Sequence, residues 1–463
     1  MVKTGKINKK KILALVLMAG RGTRMKSDTP KVLHKILGKP MGWYVLNALE
    51  KAGINRRLIV VGYRADLVKN AFPKEKFVLQ EPQDGTGHAV MVSRKSIPND
   101  ITHILVINGD TPLLTSTAVN GLIGQLGKDK CRAVVSAEWS FNPESLGRII
   151  TDDSGNFIAI REHRDLKPSE KNIEWYNPGL YGFEKKSLLA YLDKLGKSNR
   201  QKELYLTDIP GMMARDNQKV EIYTTKDESF TVLPNDRIDI ADATAMIQNR
   251  ILNNLMKKGV TITVPERVYI EHDVTISRDT VIHPESYLMG NTSIGKNSVI
   301  GPNVTIADSK IGKNVQISMS SLEEARVDDN CVVGPYSHLR PGVYLKKGAK
   351  VGNFCEIKKS IIGEGSKINH LSYIGDATIG KNVNIGAGTI TCNYDGTLKH
   401  RTIIGDNAFI GSDSILVAPV KIGAGTLTGA GSVITRDVPD GQVVMGVPAR
   451  VVRKVTRKDK SGK

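Results

Sequence analysis

Three stretches of this chain combine residue types that do chemistry. The first is Ala19-Gly20-Arg21-Gly22-Thr23-Arg24-Met25, with Lys31 on the same connection. Glycines let a backbone bend with positive φ and bring its N–H groups close to an anion, and an arginine grips phosphate oxygens through paired donors. That combination suits a phosphorylated ligand. It is neither of the common nucleotide motifs: the dinucleotide fingerprint needs a third glycine where Met25 stands, and the Gly-Lys-Ser/Thr of the P-loop is absent. The second stretch is Ile107-Asn108-Gly109-Asp110, which places a carboxylate at the end of an apolar run. Asp110 there suits a divalent cation, and ahead of Thr111-Pro112 it equally suits capping a helix. The third is His370, with Glu356 upstream and the polar run CNYDGTLKHRT (392–402) downstream. A histidine titrating near neutrality is a natural general base, which a carboxylate such as Glu356 would orient or charge-support. A lone histidine in a repeat is more often an ordinary surface residue.

The elements that must hold these residues follow from hydrophobic periodicity. Lys11 to Met18 is a continuous apolar strand, as expected where helices cover both faces. Alternating segments follow: a helix from about Met41 to Lys51, strand Leu58 to Val61, a helix near Ala65 to Ala71 and strand Phe77 to Gln80. Then come a helix from about Thr86, strand His103 to Ile107, a helix near Ser116 to Leu126 and strand Ala133 to Ala137. The alternation predicts a doubly wound, Rossmann-like α/β sheet whose ligands bind at the carboxyl ends of its strands. After Asp236, Ile240, Ala243, Ile247, Ile251 and Leu255 fall on one face of a linker helix that ends at Gly259.

From Leu288 to Ile434 an aliphatic residue returns every six positions, as in Val327, Val333, Leu339, Leu345, Val351 and Ile357. A period of six is a multiple of the strand period, so each repeat is a short strand with one inward side chain and a glycine-assisted corner: a parallel β-helix. Three hexads close a coil, so roughly 150 residues stack into about eight coils. The phase slips by one between Ile306 and Ile311, Ile357 and Ile362, and Ile374 and Ile379, which corners absorb. Between Thr391 and Ile404 the spacing jumps to thirteen, so the run 392–402 must leave the coil. The domains expected are a basic N-terminal arm (1–10), an α/β domain (11–236), a linker helix (237–259), a β-helix (260–449) and a basic C-terminal tail (450–463).

Composition narrows the function classes. Of the net charge of +19, eleven charges lie on the two ends, which reads as solvated arms rather than a nucleic-acid reader. Four cysteines without paired spacing argue against zinc and a disulfide framework and suit a reducing cytoplasm. No apolar run reaches membrane-span length, and Arg21 and Arg24 follow the run 9–20 too closely for a secretory leader.

The string LMAGRGTRMKSDTPKVLHKILGKP (17–40) resembles the nucleoside-triphosphate signature of sugar-nucleotide pyrophosphorylases. Joined to GNFCEIKK, NHLSYIGDA and NIGAGTITCNYDG, it is similar to the bacterial bifunctional N-acetylglucosamine-1-phosphate uridylyltransferase / glucosamine-1-phosphate acetyltransferase family, from about Lys11 to Ile434. The resemblance implies a left-handed β-helix and a homotrimer with shared sites. Its substrates would be glucosamine-1-phosphate, acetyl-CoA and UTP, with Mg²⁺ at the uridylyltransferase site.

Residue by residue, the resemblance implies that Met18, Ala19, Gly20 and Gly22, with Arg24 and Lys31, hold the UTP phosphates. Gln80, Gly85 and Thr86 read the uracil, and Asp110 and Asn235 bind Mg²⁺. Gly147, Glu162 and Asn177 contact the acetamido sugar. Two departures fall on that side: Pro178 stands where the family usually has threonine, and Leu233-Pro234 where it usually has Gly-Val. In the β-helix, His370 matches the base of acetyl transfer and Arg340 and Lys358 the sugar-phosphate binders. Tyr373, Asn384 and Lys399 complete the sugar pocket. Asn393 and Tyr394 serve both that pocket and acetyl-CoA, and Ala387, Ser412 and Ala430 line the acetyl-CoA groove. An arginine that relatives use near the CoA phosphate is not matched in register, with Arg450 and Arg453 available. Two other readings compete: a single-function pyrophosphorylase whose β-helix is structural or regulatory, and a non-catalytic scaffold. His370, Asn393 and Tyr394 argue against the former, and Arg24, Lys31, Asp110 and Asn235 against the latter.

Overall fold

Ile12–Met18 is an interior strand of the first unit's sheet, and its successive residues face different cores. Ile12, Ala14, Val16 and Met18 pack on one side, Leu13 and Leu15 on the other. In the computed structural model, residues 7–143, 145–227, 230 and 232–460 are described. Lys3 and Lys6 of the expected basic arm, and Lys463 of the tail, lie outside the described residues.

The chain divides into two compact units between Ile247 and Gln248, inside the helix Arg237–Lys257. In the first unit the strands lie in the order Lys219–Tyr223, Cys131–Ser136, Leu180–Glu184, His103–Asn108, Ile12–Met18, Arg57–Val61 and Phe77–Leu79. This is the doubly wound α/β sheet with two strands that periodicity did not single out: Lys219–Tyr223, parallel to its neighbour, and Leu180–Glu184, antiparallel to both of its neighbours. A small antiparallel sheet (Phe157–Arg161, Arg148–Thr151, Trp175–Tyr176, Glu138–Trp139) adds a second wall. Residues 7–10 are not a free arm: the Lys9 ammonium donates to the Ala52 carbonyl at 2.8 Å and to Asn120 Oδ1 at 2.6 Å.

The second unit is a left-handed parallel β-helix. Its three faces carry twelve, ten and nine strands, beginning at Thr261–Ile262, earlier than the first clear hexad. Val351, Ile368 and Ile385 stack directly over one another through parallel ladders. These rungs are fully or almost fully buried, so the core is a column of aliphatic side chains. Each five-residue interval holds a residue in the left-handed region: Asp308, Lys359 and Asp376 at the three slips, and also Met319 and Glu324. Six-residue intervals hold them too, at Asn303, Asn330 and Leu371, so left-handed φ turns corners of either length, at a cost of about 1–2 kcal/mol for a non-glycine residue. The C-terminal end is likewise structured, since Ala449–Lys454 pairs antiparallel with Gln442–Gly446.

Candidate functional site

At the carboxyl edge of the α/β sheet, the glycine turn and Asp110 meet. Gly22 has φ +65, and a Cβ there would lie 2.7 Å from Lys31 Cβ, so only glycine lets Lys31 come in. Lys31 then donates to Asp110 Oδ2 at 2.5 Å and to Asn235 Oδ1 at 3.0 Å. Arg24 reaches the same Asn235 oxygen at 2.8 Å and Ser145 Oγ at 3.5 Å. Asn235 is held in turn by its own N–H, which donates to Asp239 Oδ2 at 2.6 Å. Asp110 does not cap the following helix; Thr115 does, accepting from the Ala118 N–H at 3.0 Å. Gly109 is required for a different reason, since a Cβ there would sit 2.5 Å from Met18 Cγ.

A cleft of about 430 Å³ opens from this point, lined by Ala19, Gly20, Gln80, Gly85, Thr86, Asp110 and Glu162, with Tyr205 among others. Met18 is buried and does not line it. A side chain on Gly20 would meet nothing within 4 Å, so the turn presents bare backbone to the cleft. Gln80 is almost fully buried and donates to the Gly85 carbonyl at 2.8 Å, and Thr86 Oγ1 accepts from the Leu206 N–H at 3.0 Å. Gly147, Glu162 and Asn177 come together: the Asn177 N–H donates to the Gly147 carbonyl at 2.8 Å, and Glu162 Oε2 lies 3.5 Å from where a Gly147 Cβ would be. Desolvation raises the Glu162 carboxyl above the usual range, opposed by the Thr207 hydroxyl, which donates to it. The Asn177 amide beside Pro178 donates to the Tyr181 hydroxyl at 2.5 Å. Tyr205 carried no motif signal, yet its hydroxyl is buried without a partner among the described residues. An adjoining pocket of about 320 Å³ is lined by Glu138, Ser145 and Asn235, and burial pushes the Glu138 carboxyl up to about 7.

The β-helix brings a second group together. Arg340 donates to Glu356 Oε1 at 2.8 Å, so Glu356 supports an arginine rather than His370; its ladder partner is Tyr373. Lys358 lies beside the ammonium of Lys399 and then Arg340, and these neighbours lower its pKa. Three cations thus crowd one patch. Gly375, which sequence reasoning passed over, makes room for it: a Cβ there would lie 2.5 Å from the Tyr373 hydroxyl and 2.7 Å from Asn393 Nδ2. Asn393 is buried and donates to Asp376 Oδ2 at 2.5 Å. Residues 393–401 project from the coil, whereas Cys392 and Thr402, expected to leave with them, stay in its ladders; Tyr394 is 60% exposed and bridged to Lys399.

His370 is exposed at a corner, with Asn353 as its ladder partner one coil below. The register Lys367 to Asn384 and Ile368 to Ile385 continues to Ala387 above His370, and the next coils place Ser412 and Ala430 in the same column. A track of small residues therefore leads away from the histidine. Asn384 is not beside it: it pairs with Lys367, three residues or about 10 Å back along the strand.

Comparison with known proteins agrees with both units. A family model for MobA-like NTP transferase domains matches residues 14–205. Bacterial transferase hexapeptide repeats match 273–308 and 401–436, and a GMPPB C-terminal domain matches 321–417. The chain is 44% identical to the bifunctional protein GlmU of Heliobacterium modesticaldum, covering 93% of this chain and 94% of that protein. It is 46% identical to the GlmU of Carboxydothermus hydrogenoformans, covering 92% and 95%, and 45% identical to that of Fervidobacterium nodosum, covering 96% and 97%.

Proposed function

The chain belongs to the family of bifunctional GlmU proteins, and on that premise we propose that it makes UDP-N-acetylglucosamine in two steps. Acetyl-CoA acetylates glucosamine-1-phosphate at the β-helix, and UTP then uridylylates the product at the α/β domain. The observation that carries this reading over a structural β-helix is the patch of Arg340, Lys358 and Lys399 beside the coil of His370. A bare scaffold gains nothing from crowding three cations around the single carboxylate of Glu356, an excess that a phosphate would neutralise.

In the first step His370 takes a proton from the sugar ammonium, since only the free amine attacks. The C–N bond forms at the thioester carbonyl, the C–S bond breaks and CoA leaves. Arg340, Lys358 and Lys399 hold the sugar phosphate, and Tyr373 packs against it. Asn393 and Tyr394 hold the acetyl donor along Ala387, Ser412 and Ala430. In the second step a phosphate oxygen of N-acetylglucosamine-1-phosphate attacks the α-phosphorus of UTP and pyrophosphate leaves. Arg24 and Lys31 neutralise the charge on the phosphates, while Gln80, Gly85 and Thr86 fix the uracil. Asp110 and Asn235 fit Mg²⁺, because two hard oxygens converge on one cationic centre, now the Lys31 ammonium. When bound, Mg²⁺ supplies further charge neutralisation on the triphosphate.

The reading includes a homotrimer. It is supported by an exposed ridge of Tyr336, Phe354 and Leu371 at the corner next to His370, with the first two rings stacked 5.2 Å apart. It includes a cytoplasmic location, supported by four free cysteines. The test is a mass-spectrometric product assay with glucosamine-1-phosphate, acetyl-CoA, UTP and Mg²⁺. Both N-acetylglucosamine-1-phosphate and UDP-N-acetylglucosamine are expected; UDP-glucosamine alone would reduce the β-helix to a scaffold.

A further inference from the structure

Residues 393–401 leave a rigid coil and have no sheet to hold them, yet they carry Asn393, Tyr394 and Lys399. Lys399 also stands beside Lys358, a like charge. Something must hold the loop against that repulsion before a phosphate arrives. Besides the Tyr394 hydroxyl, which donates to the Gly396 carbonyl at 2.6 Å, and the Asp395 N–H, which donates to the Leu398 carbonyl at 3.2 Å, the structure shows a carboxylate clasp. Asp395 Oδ1 accepts the N–H groups of Thr397 at 2.8 Å and Leu398 at 2.7 Å. Its other oxygen accepts from His400 Nε2 at 2.6 Å. The backbone N–H of His400 separately donates to the Asn393 carbonyl at 2.8 Å, and Tyr394 bridges Lys399 across the same hairpin. His400 and the neighbouring N–H groups together hold the Asp395 carboxyl well below the usual carboxylate range. Both ends of the loop are thereby tied: Asp395 closes its tip, and His400 joins that tip to the buried Asn393, which Asp376 anchors to the coil.

We propose that His400 is a positioning residue for acetyl transfer, clasping Asp395 so that Asn393, Tyr394 and Lys399 are presented to their ligands in place. The proposal rests on the acetyl-transfer reading of the second unit. It predicts an effect on binding more than on the chemical step, since His400 reaches the substrates only through the loop. One charge-assisted hydrogen bond lost from a loop closure corresponds to about a tenfold change in apparent affinity.

The experiment uses the full chain with His400→Phe, which keeps the ring and removes the donor, and His400→Gln, whose side-chain amide places a donor near the position of Nε2. In the Phe variant, KM for glucosamine-1-phosphate and acetyl-CoA should rise about tenfold with kcat changed less than about threefold. The Gln variant should return both to within about twofold, and uridylyl transfer should be unaffected in either. Hydrogen exchange at the Thr397 and Leu398 amides should be faster by a similar factor in the Phe variant only. Wild-type kinetics and exchange in the Phe variant, or a Gln variant as impaired as Phe, would overturn the clasp. If the wild-type chain acetylates nothing, the acetyl-transfer reading falls instead, and the exchange measurement still decides whether His400 holds the loop.

Discussion

Gly22→Ala is the smallest change that should separate the two activities. The native φ of +65 costs an alanine about 1–2 kcal/mol. The added methyl would also lie 2.7 Å from Lys31 Cβ, against an ordinary carbon contact of about 3.5–4.0 Å. Neither carbon is the end of a flexible chain, so the two backbones must part by about 1 Å. The Lys31 ammonium would then lose its joint contact with Asp110 and Asn235, now 2.5 and 3.0 Å away. A misplacement of about 1 Å in a group that neutralises reacting phosphates costs on the order of a hundredfold in rate. The assay is pyrophosphate release from UTP and N-acetylglucosamine-1-phosphate, with acetyl transfer on the same preparation as the internal control. The expected result is a fall of about 30- to 100-fold in uridylyl kcat/KM with acetyl transfer unchanged. Uridylyl activity within twofold of wild type, in a folded variant, would refute the argument that Gly22 exists to admit Lys31.

Other consequences follow from the same geometry. Gly375→Ala crowds the Tyr373 hydroxyl and the Asn393 amide, so KM for glucosamine-1-phosphate in acetyl transfer should rise about tenfold while uridylyl transfer is untouched. Asp110→Asn removes the charged member of the Mg²⁺ pair, and a titration of uridylyl rate against Mg²⁺ should shift to about tenfold higher concentration. Glu138→Gln concerns stability. The folded carboxyl titrates at about 7 against an ordinary value of 4.5, so the native state holds the proton more tightly than the unfolded chain. Its contribution is fully present below about pH 4.5 and is lost as the pH rises through about 7. The variant should therefore gain on the wild type between pH 5 and 8. Half-exposure of the group screens the gain to about 1 kcal/mol, read as a rise in the first thermal midpoint.

Much of this architecture was legible because it repeats. The hexads place Val351 over Ile368 over Ile385 through nothing more than period and burial, and the jump after Thr391 locates the projecting loop. The strand Ile12–Met18 and its glycine turn were equally plain, being one apolar run followed by residues that suit only a turn. What escaped depends on contacts distant in sequence. Leu180–Glu184 lacks a flanking pattern that distinguishes an antiparallel insertion from another parallel strand. Gly375 looks like any repeat glycine until Tyr373 and Asn393 are seen closing over it. Glu356 belongs to the same array as His370, but it lies on a different face of the coil and its carboxylate accepts from Arg340. Tyr205 has no motif at all, and only its unpartnered hydroxyl marks it. The five-residue steps from Ile317 to Leu322 and from Leu322 to Val327 carry no glycine or asparagine to mark their corners.

The central claim is that one polypeptide carries two separable chemistries. His370→Ala tests it most directly, with acetyl-CoA consumption and pyrophosphate release followed on the same full-length sample. Loss of the general base should lower acetyl transfer by about 10²–10⁴-fold and leave uridylylation of N-acetylglucosamine-1-phosphate within twofold of wild type. Acetyl transfer retained at the wild-type rate, or both activities lost in a folded chain, would contradict the account.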